Sequence, residues 1–240
     1  MRLLLTCTLA VFALLLVGCG GKKSASSNGE ASKSAAQITA DAKSAIAGAT
    51  SVHVTGDGTA GGAKLARDLI YETGKNSGSS GHVSVSGLGF DIIRVNGKSY
   101  FKGAANFLLH FTSKDAAQLM AGKWFYVAGT WSYVADIVIG FSSLAALTNP
   151  TALTDAIFST AGSVSKGAET TIDGQPAIAI VAKNDDATPY VATTGPAYPL
   201  EIKPGGGGAI KFDDWNRPVS LTAPKNPIDY AKLAAKLIGR

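Results

Sequence analysis

Cysteine, histidine and charged residues are all scarce in this chain. Its 240 residues include two cysteines and three histidines, and Asp, Glu, Lys and Arg make up 16% of them. Cys7 lies in an apolar N-terminal leader and Cys19 directly follows it, so the rest of the chain has no thiol for a disulfide, a nucleophile or a thiolate metal site. His53, His82 and His110 are far apart in the sequence, and none has a second histidine at metal-ligand spacing. We expect no metal site.

The chain also lacks the short motifs of common hydrolases. Neither G-x-S-x-G nor H-E-x-x-H occurs, so an enzyme would have to assemble its site from dispersed residues. One G-x-G-x-x-G match, Gly56–Gly61, follows an alternating strand, whereas a dinucleotide site needs a buried parallel one. A hairpin turn is the better interpretation. We expect no enzyme activity, no catalytic residue and no cofactor.

The N-terminal leader has the features of a lipoprotein export signal. Arg2 supplies a positive charge, Leu9–Leu16 supplies an apolar run, and Leu16–Cys19 forms a lipobox. The alternatives are an ordinary secretory signal and an uncleaved membrane span, but the run is shorter than the roughly 20 residues that a span needs. We therefore predict a signal peptide at residues 1–18 and lipid attachment at Cys19. That lipid would anchor the protein at the outer face of the cytoplasmic membrane, in the cell envelope.

After the leader, the composition predicts a tether followed by one domain. Residues 19–36 are mostly Gly, Ser, Ala and Lys, a composition typical of a flexible linker. Residues 37–240 are enough for a single domain with its own core. The net charge is +5, but Lys and Arg are scattered and form no basic stripe, so we expect no nucleic-acid partner. We expect a monomer.

Within the domain, apolar alternation and turn residues predict an α+β fold. Asn96-Gly97 and Asp173-Gly174 indicate hairpins of one antiparallel sheet. His53 alternates with Val52 and Val54, so we expect its side chain on the exposed face. The predicted strands cover residues 51–55, 64–73, 82–86, 88–95, 99–102, 169–172, 177–182, 188–193, 198–203, 209–212 and 218–222. The predicted helices cover residues 38–49, with Thr39 as cap, 106–111, 114–120 and 228–238.

One segment, residues 131–147, is apolar on nearly all sides. Asp136 is the only charge between Trp131 and Leu147. Three interpretations stay open: a transmembrane helix, a core helix, and a helix that covers a lipid cavity. The polar residues that interrupt the segment and the strands that follow it disfavour the transmembrane helix.

Four short phrases behind the lipobox carry a family resemblance: Ala45–Val54, Val95–Tyr100, Thr171–Ala177 and Pro199–Ile202. With them the sequence resembles the actinobacterial and mycobacterial cell-envelope lipoproteins of the LprG and LppX group. The resemblance implies a LolA-like fold, a strongly curved antiparallel sheet, or half-barrel, with helices packed in its concave face. It also implies an apolar cavity between sheet and helices that binds lipids or lipid-linked glycans, to carry or present them. The implied partners are the membrane through Cys19, a lipid or glycolipid, and an envelope transporter.

If the resemblance holds, aromatic and aliphatic residues should line this cavity. The candidates are Phe90, Ile92, Tyr100, Phe107, Trp124, Val134, Ile137, Val138 and Phe141, each of which could equally be plain core. The alternative is a tethered, non-catalytic module with a filled core that docks to proteins or glycans. Such a module would use exposed aromatics such as Tyr190, Tyr198 and Trp215.

Overall fold

One sheet organises the domain. The computed structural model describes residues 26–60, 62–73, 77–110, 112–126, 158, 163–182 and 187–238. Among these residues the strands are β1 (Ser51–Ala60), β2 (Ala63–Glu72), β3 (Gly78–Val85), β4 (Leu88–Val95), β5 (Lys98–Gly103), β6 (Phe125–Tyr126), β7 (Val164–Ile172), β8 (Gln175–Ala182), β9 (Ala187–Ala192), β10 (Pro199–Pro204), β11 (Ala209–Asp213) and β12 (Ile228–Asp229). The helices are α1 (Ala35–Gly48), α2 (Ala105–Leu108), α3 (Lys114–Met120) and α4 (Tyr230–Ile238).

The twelve strands form a single curved sheet in the order β12-β6-β5-β4-β3-β2-β1-β11-β10-β9-β8-β7. Neighbouring strands are antiparallel and mostly joined by hairpins, as predicted. Two consecutive series of antiparallel strands, β1 to β6 and β7 to β11, meet where β1 pairs with β11. We call them the two hairpin series, although α2 and α3 lie between β5 and β6. The sheet departs from the predicted antiparallel arrangement at one edge, where β12 runs parallel to β6.

The parallel pair follows from the long connection between β11 and β12. Residues 214–227 run along one end of the sheet without forming a strand, so the strand predicted at Pro218–Thr222 is absent. Ser51 Oγ donates to the Arg217 carbonyl at 2.6 Å, and a Cβ at Gly78 would meet Leu221 at 2.8 Å. Three prolines in this connection remove backbone donors that a strand would need. Parallel pairing requires such a crossover, which a two-residue hairpin cannot supply.

Two neighbouring cross-strand rows of residues show that one face of the sheet is apolar and the other is charged. One row is formed by Phe212, Val54, Leu69, Gly81, Ile92, Phe101, Phe125 and Ile228. The next row is formed by Lys211, Thr55, Asp68, His82, Asp91 and Lys102. Because side chains alternate along a strand, the two rows lie on opposite faces. We call the apolar side the inner face and the charged side the outer face.

The helices pack on the inner face and complete the α+β fold. The apolar side of α1 (Ala35, Ile38, Ala42 and Ile46) belongs to the same buried core as the inner row, as do Phe107 of α2 and Met120 of α3. The helix α1 begins four residues before the predicted cap, because Ser34 and Gln37 form a capping box. The amphipathic α4 lays Leu233 and Leu237 against this core. The apolar segment 131–147 lies outside the described residues, and none of the described helices is long and apolar enough to cross a membrane.

The second half of the predicted tether is part of the folded domain. Ser27 forms a bridge with Thr194, and the Asn28 side chain donates to the Ala192 and Gly195 carbonyls at 3.0 and 2.9 Å. Glu30 is buried and paired with Lys33 at 2.7 Å. The composition of residues 26–36 therefore predicted a flexible linker where the chain is ordered. These residues are held by contacts with residues far along the sequence, which composition does not reveal.

Candidate functional site

An aromatic cluster forms the floor of the inner face. The rings of Phe90 and Phe107 stack with centroids 4.6 Å apart, and Phe101 lies 6.3 Å from Phe90 and 5.7 Å from Phe125. Phe107 approaches so closely because Gly103 lies beneath it, where a Cβ would be 2.4 Å from the ring. The cluster presents a continuous aromatic surface across β4, β5 and β6 toward the helices.

Three of the predicted cavity residues come together in this core. Phe90, Ile92 and Phe107 are all buried in the inner-face core, and Ile92 is fully inaccessible to solvent. The other inner-face expectations, Val134, Ile137, Val138 and Phe141, lie outside the described residues.

Two predicted cavity residues belong instead to the outer side of the sheet. Tyr100 pairs with Ile93, one residue beyond Ile92, and its ring packs 6.0 Å from Tyr126. Lys102, an outer-face residue, places its Nζ 5.3 Å from the centre of the Trp124 ring. The prediction grouped these aromatics by residue type, whereas the alternation along β5 separates Tyr100 from Phe101. Tyr100 and Trp124 therefore do not line the inner face.

The inner face carries two arginines, Arg94 near the end of β4 and Arg67 in the middle of β2. Arg67 alternates with Leu65, Leu69 and Tyr71, three buried residues of β2. This alternation in the sequence is the signal that could have identified it. Burial lowers the pKa of the Arg67 guanidinium and raises the pKa of the Tyr71 hydroxyl, since both groups lose contact with water. Arg67 therefore places a cation among buried apolar residues of the inner face.

The outer face has a cleft of about 710 Å³. It lies between the β7–β8 turn, the β9–β10 connection and the end of β11. Tyr198 and Trp215, two aromatics singled out in the sequence, stack in its wall with centroids 4.3 Å apart and planes at 4°. Lys211 closes one side by contacting both carboxylate oxygens of Asp173 at 2.8 and 3.0 Å. The third aromatic, Tyr190, is absent from the lining.

His53 lies on the outer face, as predicted, between two carboxylates. Its Nδ1 is 2.7 Å from Oδ1 of Asp213 in β11, and its Nε2 is 2.8 Å from Oδ1 of Asp68 in β2. A neutral imidazole has one N–H, so both contacts are hydrogen bonds only when the ring is protonated. Burial acts to lower the pKa of His53, but the two carboxylates outweigh it and raise the pKa. The imidazolium thus links β2 to β11 across β1, where the two hairpin series meet.

Near His53, both carboxylates that could hold a metal ion are already paired with protein cations. Ligand atoms of His53, Asp213 and Asp214 lie within 4.8 Å of one another, a spacing that a cation could bridge. Asp213 is already paired with the imidazolium, and Asp214 Oδ2 is 2.6 Å from Nη1 of Arg217. A metal would have to displace both partners.

We predict that this linkage makes stability depend on pH. Because the pKa of folded His53 is raised, its contribution is complete below the unfolded pKa of about 6.5 and is lost as pH rises through the folded pKa. Urea unfolding of the protein should therefore show a free energy of unfolding that falls as the pH is raised above 6.5. The difference in the free energy of unfolding between the wild-type protein and the His53→Gln variant should shrink over the same pH range. An equal difference at low and high pH would contradict the imidazolium link.

The comparisons with known proteins bear on the fold. No protein-family model and no curated protein matches the chain. LprF from Mycobacterium bovis aligns with a TM-score of 0.51 at 15% identity, covering 79% of this chain and 96% of that one. Mycobacterium tuberculosis lipoprotein LppX aligns with a TM-score of 0.47 at 17% identity, covering 78% and 99%. The likeness to LprF confirms the curved α+β fold that the resemblance implied.

Proposed function

We propose that this protein is a cell-envelope lipoprotein that binds lipid acyl chains between the inner face of the sheet and its helices. The observation that carries the proposal is the difference in polarity between the two faces of the sheet. Its inner face presents an apolar row across eight strands, with aromatic rings on β5, β6 and β11, while the adjacent outer row is charged. A lipid-binding protein needs an extended apolar surface of this kind, because each buried CH₂ contributes about 0.8 kcal/mol.

Binding of this kind requires no chemical step. The acyl chains would lie along the apolar row and over the Phe90–Phe107 pair, and the helices would separate them from water. Attachment through Cys19 would keep the domain within reach of the membrane that supplies the lipid. Because residues 26–36 belong to the folded domain, only residues 19–25 would span the distance to the anchor, at most about 25 Å when fully extended. The protein would carry or present its lipid close to the membrane surface.

A second candidate function, saccharide binding, is favoured by the outer cleft. Aromatic walls stack on the apolar faces of sugars, and carboxylates accept hydrogen bonds from hydroxyls. Asp173, Asp213 and Asp214 are each paired with a cation, so the rim is balanced in charge and suits a neutral ligand. A domain that takes up no lipid but binds neutral oligosaccharides, and loses that binding in Tyr198→Ala, would establish this function in place of the first.

The lipid proposal predicts that the same substitution impairs lipid uptake at Ile92 but not at the adjacent Ile93. Ile92 faces the inner side and Ile93 the outer side, where it pairs with Ser80 and Tyr100. Ile92→Trp would add a larger ring beside the aromatic floor, where the acyl chain would lie, and should reduce uptake of a fluorescent fatty acid at least tenfold. Ile93→Trp, the matched control, should leave uptake within a factor of two.

Thermal unfolding of both variants is needed beside the uptake measurement. An extra ring in a packed core costs about 1–3 kcal/mol, so the Ile92→Trp variant should remain folded at a lower Tm. Full uptake by a folded Ile92→Trp variant, or equal losses in the two variants, would refute binding on the inner face.

A further inference from the structure

The inner face contains a cation whose partner the described residues do not supply. Arg67 lies opposite Gly56 on β1 and Val83 on β3, and Phe90 follows in the same cross-strand row. Its Nε is inaccessible to solvent and has no hydrogen-bond partner in the described part of the chain. None of the ion pairs among the described residues involves Arg67, and in β1 to β6 the inner face carries no carboxylate.

This arrangement is costly for the protein alone. A guanidinium stays charged in proteins and has five N–H donors, and withdrawing it from water without a partner lowers stability. The long alkyl part of an arginine can pack on an apolar surface, but the usual outcome is that the head reaches water or a carboxylate. The Nε of Arg67 reaches neither among the described residues. A site that tolerates this cost can recover it when an anion binds.

We propose that Arg67 binds the anionic group of the lipid, a carboxylate or a phosphate, and so fixes the polar end of the ligand within the inner face. The inference rests on the proposed lipid function and adds a ligand class and an orientation to it. A guanidinium pairs with either anion through two parallel hydrogen bonds.

The row of Arg67 indicates where the acyl chain would run. From Arg67 the row continues through Val83 and Phe90 to Gly103, the position over which Phe107 packs. An anion at Arg67 would therefore place the start of the chain on an aliphatic residue and its continuation on two stacked rings. Both Val83 and Phe90 are buried in the inner-face core.

The test compares an acid with its neutral ester. The chain from Gly20 to Arg240 contains every described element, and it would be delipidated and titrated with oleate, methyl oleate, dioleoylphosphatidate and dioleoylglycerol. Variants are Arg67→Met, which removes the charge but keeps an apolar side chain, and Arg67→Lys, which keeps the charge. Arg217→Met, at an exposed outer position, is the control.

For the wild type we expect the anionic member of at least one pair to bind tenfold more tightly than its neutral counterpart. Arg67→Met should abolish that preference, leave binding of the neutral lipid within a factor of two and keep or raise the Tm, because it removes a partly buried guanidinium whose Nε has no partner among the described residues. Arg67→Lys should retain part of the preference, and Arg217→Met all of it. If Arg67→Met reduces the preference for oleate over methyl oleate more, the ligand group is a carboxylate. If it reduces the preference for dioleoylphosphatidate over dioleoylglycerol more, the ligand group is a phosphate.

Other results would overturn the proposal in distinguishable ways. Equal binding of acid and ester by the wild type, with both bound, would refute the role of Arg67 and leave the lipid function standing. Unchanged preference in Arg67→Met, or equal losses for charged and neutral lipids together with a lower Tm, would make Arg67 a structural residue. Failure of the wild type to bind any of the four lipids would refute the proposed function itself.

Discussion

Gly56→Ala should prevent the domain from folding normally, with an expected loss of at least about 3 kcal/mol. Gly56 has a φ of +143°, which side chains of L residues rarely adopt, and a Cβ there would lie 2.0 Å from the Ala209 carbonyl oxygen. The clash is with backbone of β11, so a rotamer change cannot relieve it. Because β1 and β11 join the two hairpin series, displacing one of them should separate the halves of the sheet. Chemical denaturation monitored by circular dichroism would measure the loss.

Gly58 supplies a matched control two residues further along the same strand. It has no positive φ, and a Cβ there would lie 3.8 Å from its nearest neighbour, the Gly207 carbonyl oxygen, which is ordinary contact. Gly58→Ala should change the free energy of unfolding by less than about 1 kcal/mol, and reduced freedom of the unfolded chain could even raise it. Similar losses in the two variants would contradict the close approach of β1 and β11.

Phe90→Ala should cost about 3–5 kcal/mol, the range for truncating a buried phenylalanine. Phe90 is 3% exposed and contacts two aromatic neighbours, stacking on Phe107 at 4.6 Å and tilting against Phe101 at 6.3 Å. Its removal would leave a void at the centre of the inner face and free α2 from the sheet. Urea unfolding should show a lower midpoint with a similar slope.

Ile70 provides the corresponding control on the opposite face. It is 40% exposed on the outer side of β2, so Ile70→Ala should cost less than about 1 kcal/mol. If Ile70→Ala proved as damaging as Phe90→Ala, the two faces would not differ in the way that the inner and outer rows require.

Much of the sheet could be predicted from local sequence because its strands are short hairpins with strong turn signals. Asn96 has a positive φ of 52° and precedes Gly97 in the β4–β5 turn, and Asp173 does the same before Gly174. The alternation in β1 correctly placed His53 outside. The predicted hairpin after β1 forms, but it closes between Ala60 and Ala63, so β1 extends five residues beyond its predicted end. Gly56 lies within the strand and allows the approach of β11.

The features that sequence could not supply depend on contacts between distant residues. The partners of His53 are 15 and 160 residues away, so the double carboxylate contact had no local signal. The parallel pairing of β12 depends on a connection that follows the edge of the sheet, and hydropathy does not encode such a path. The alternation of β2 places Arg67 on the buried face. That no described carboxylate lies next to it on that face follows only from the register of the neighbouring strands.

The central claim, that the inner face holds acyl lipid, is tested most directly by native mass spectrometry. The chain from Gly20 to Arg240 would be secreted from a bacterial host, purified without detergent and measured before and after extraction with organic solvent. We predict a stoichiometric, non-covalent added mass that disappears on extraction and is recovered as an acyl lipid in the solvent. A mass that matches the bare chain, combined with no uptake of added phospholipid or fatty acid, would contradict the claim.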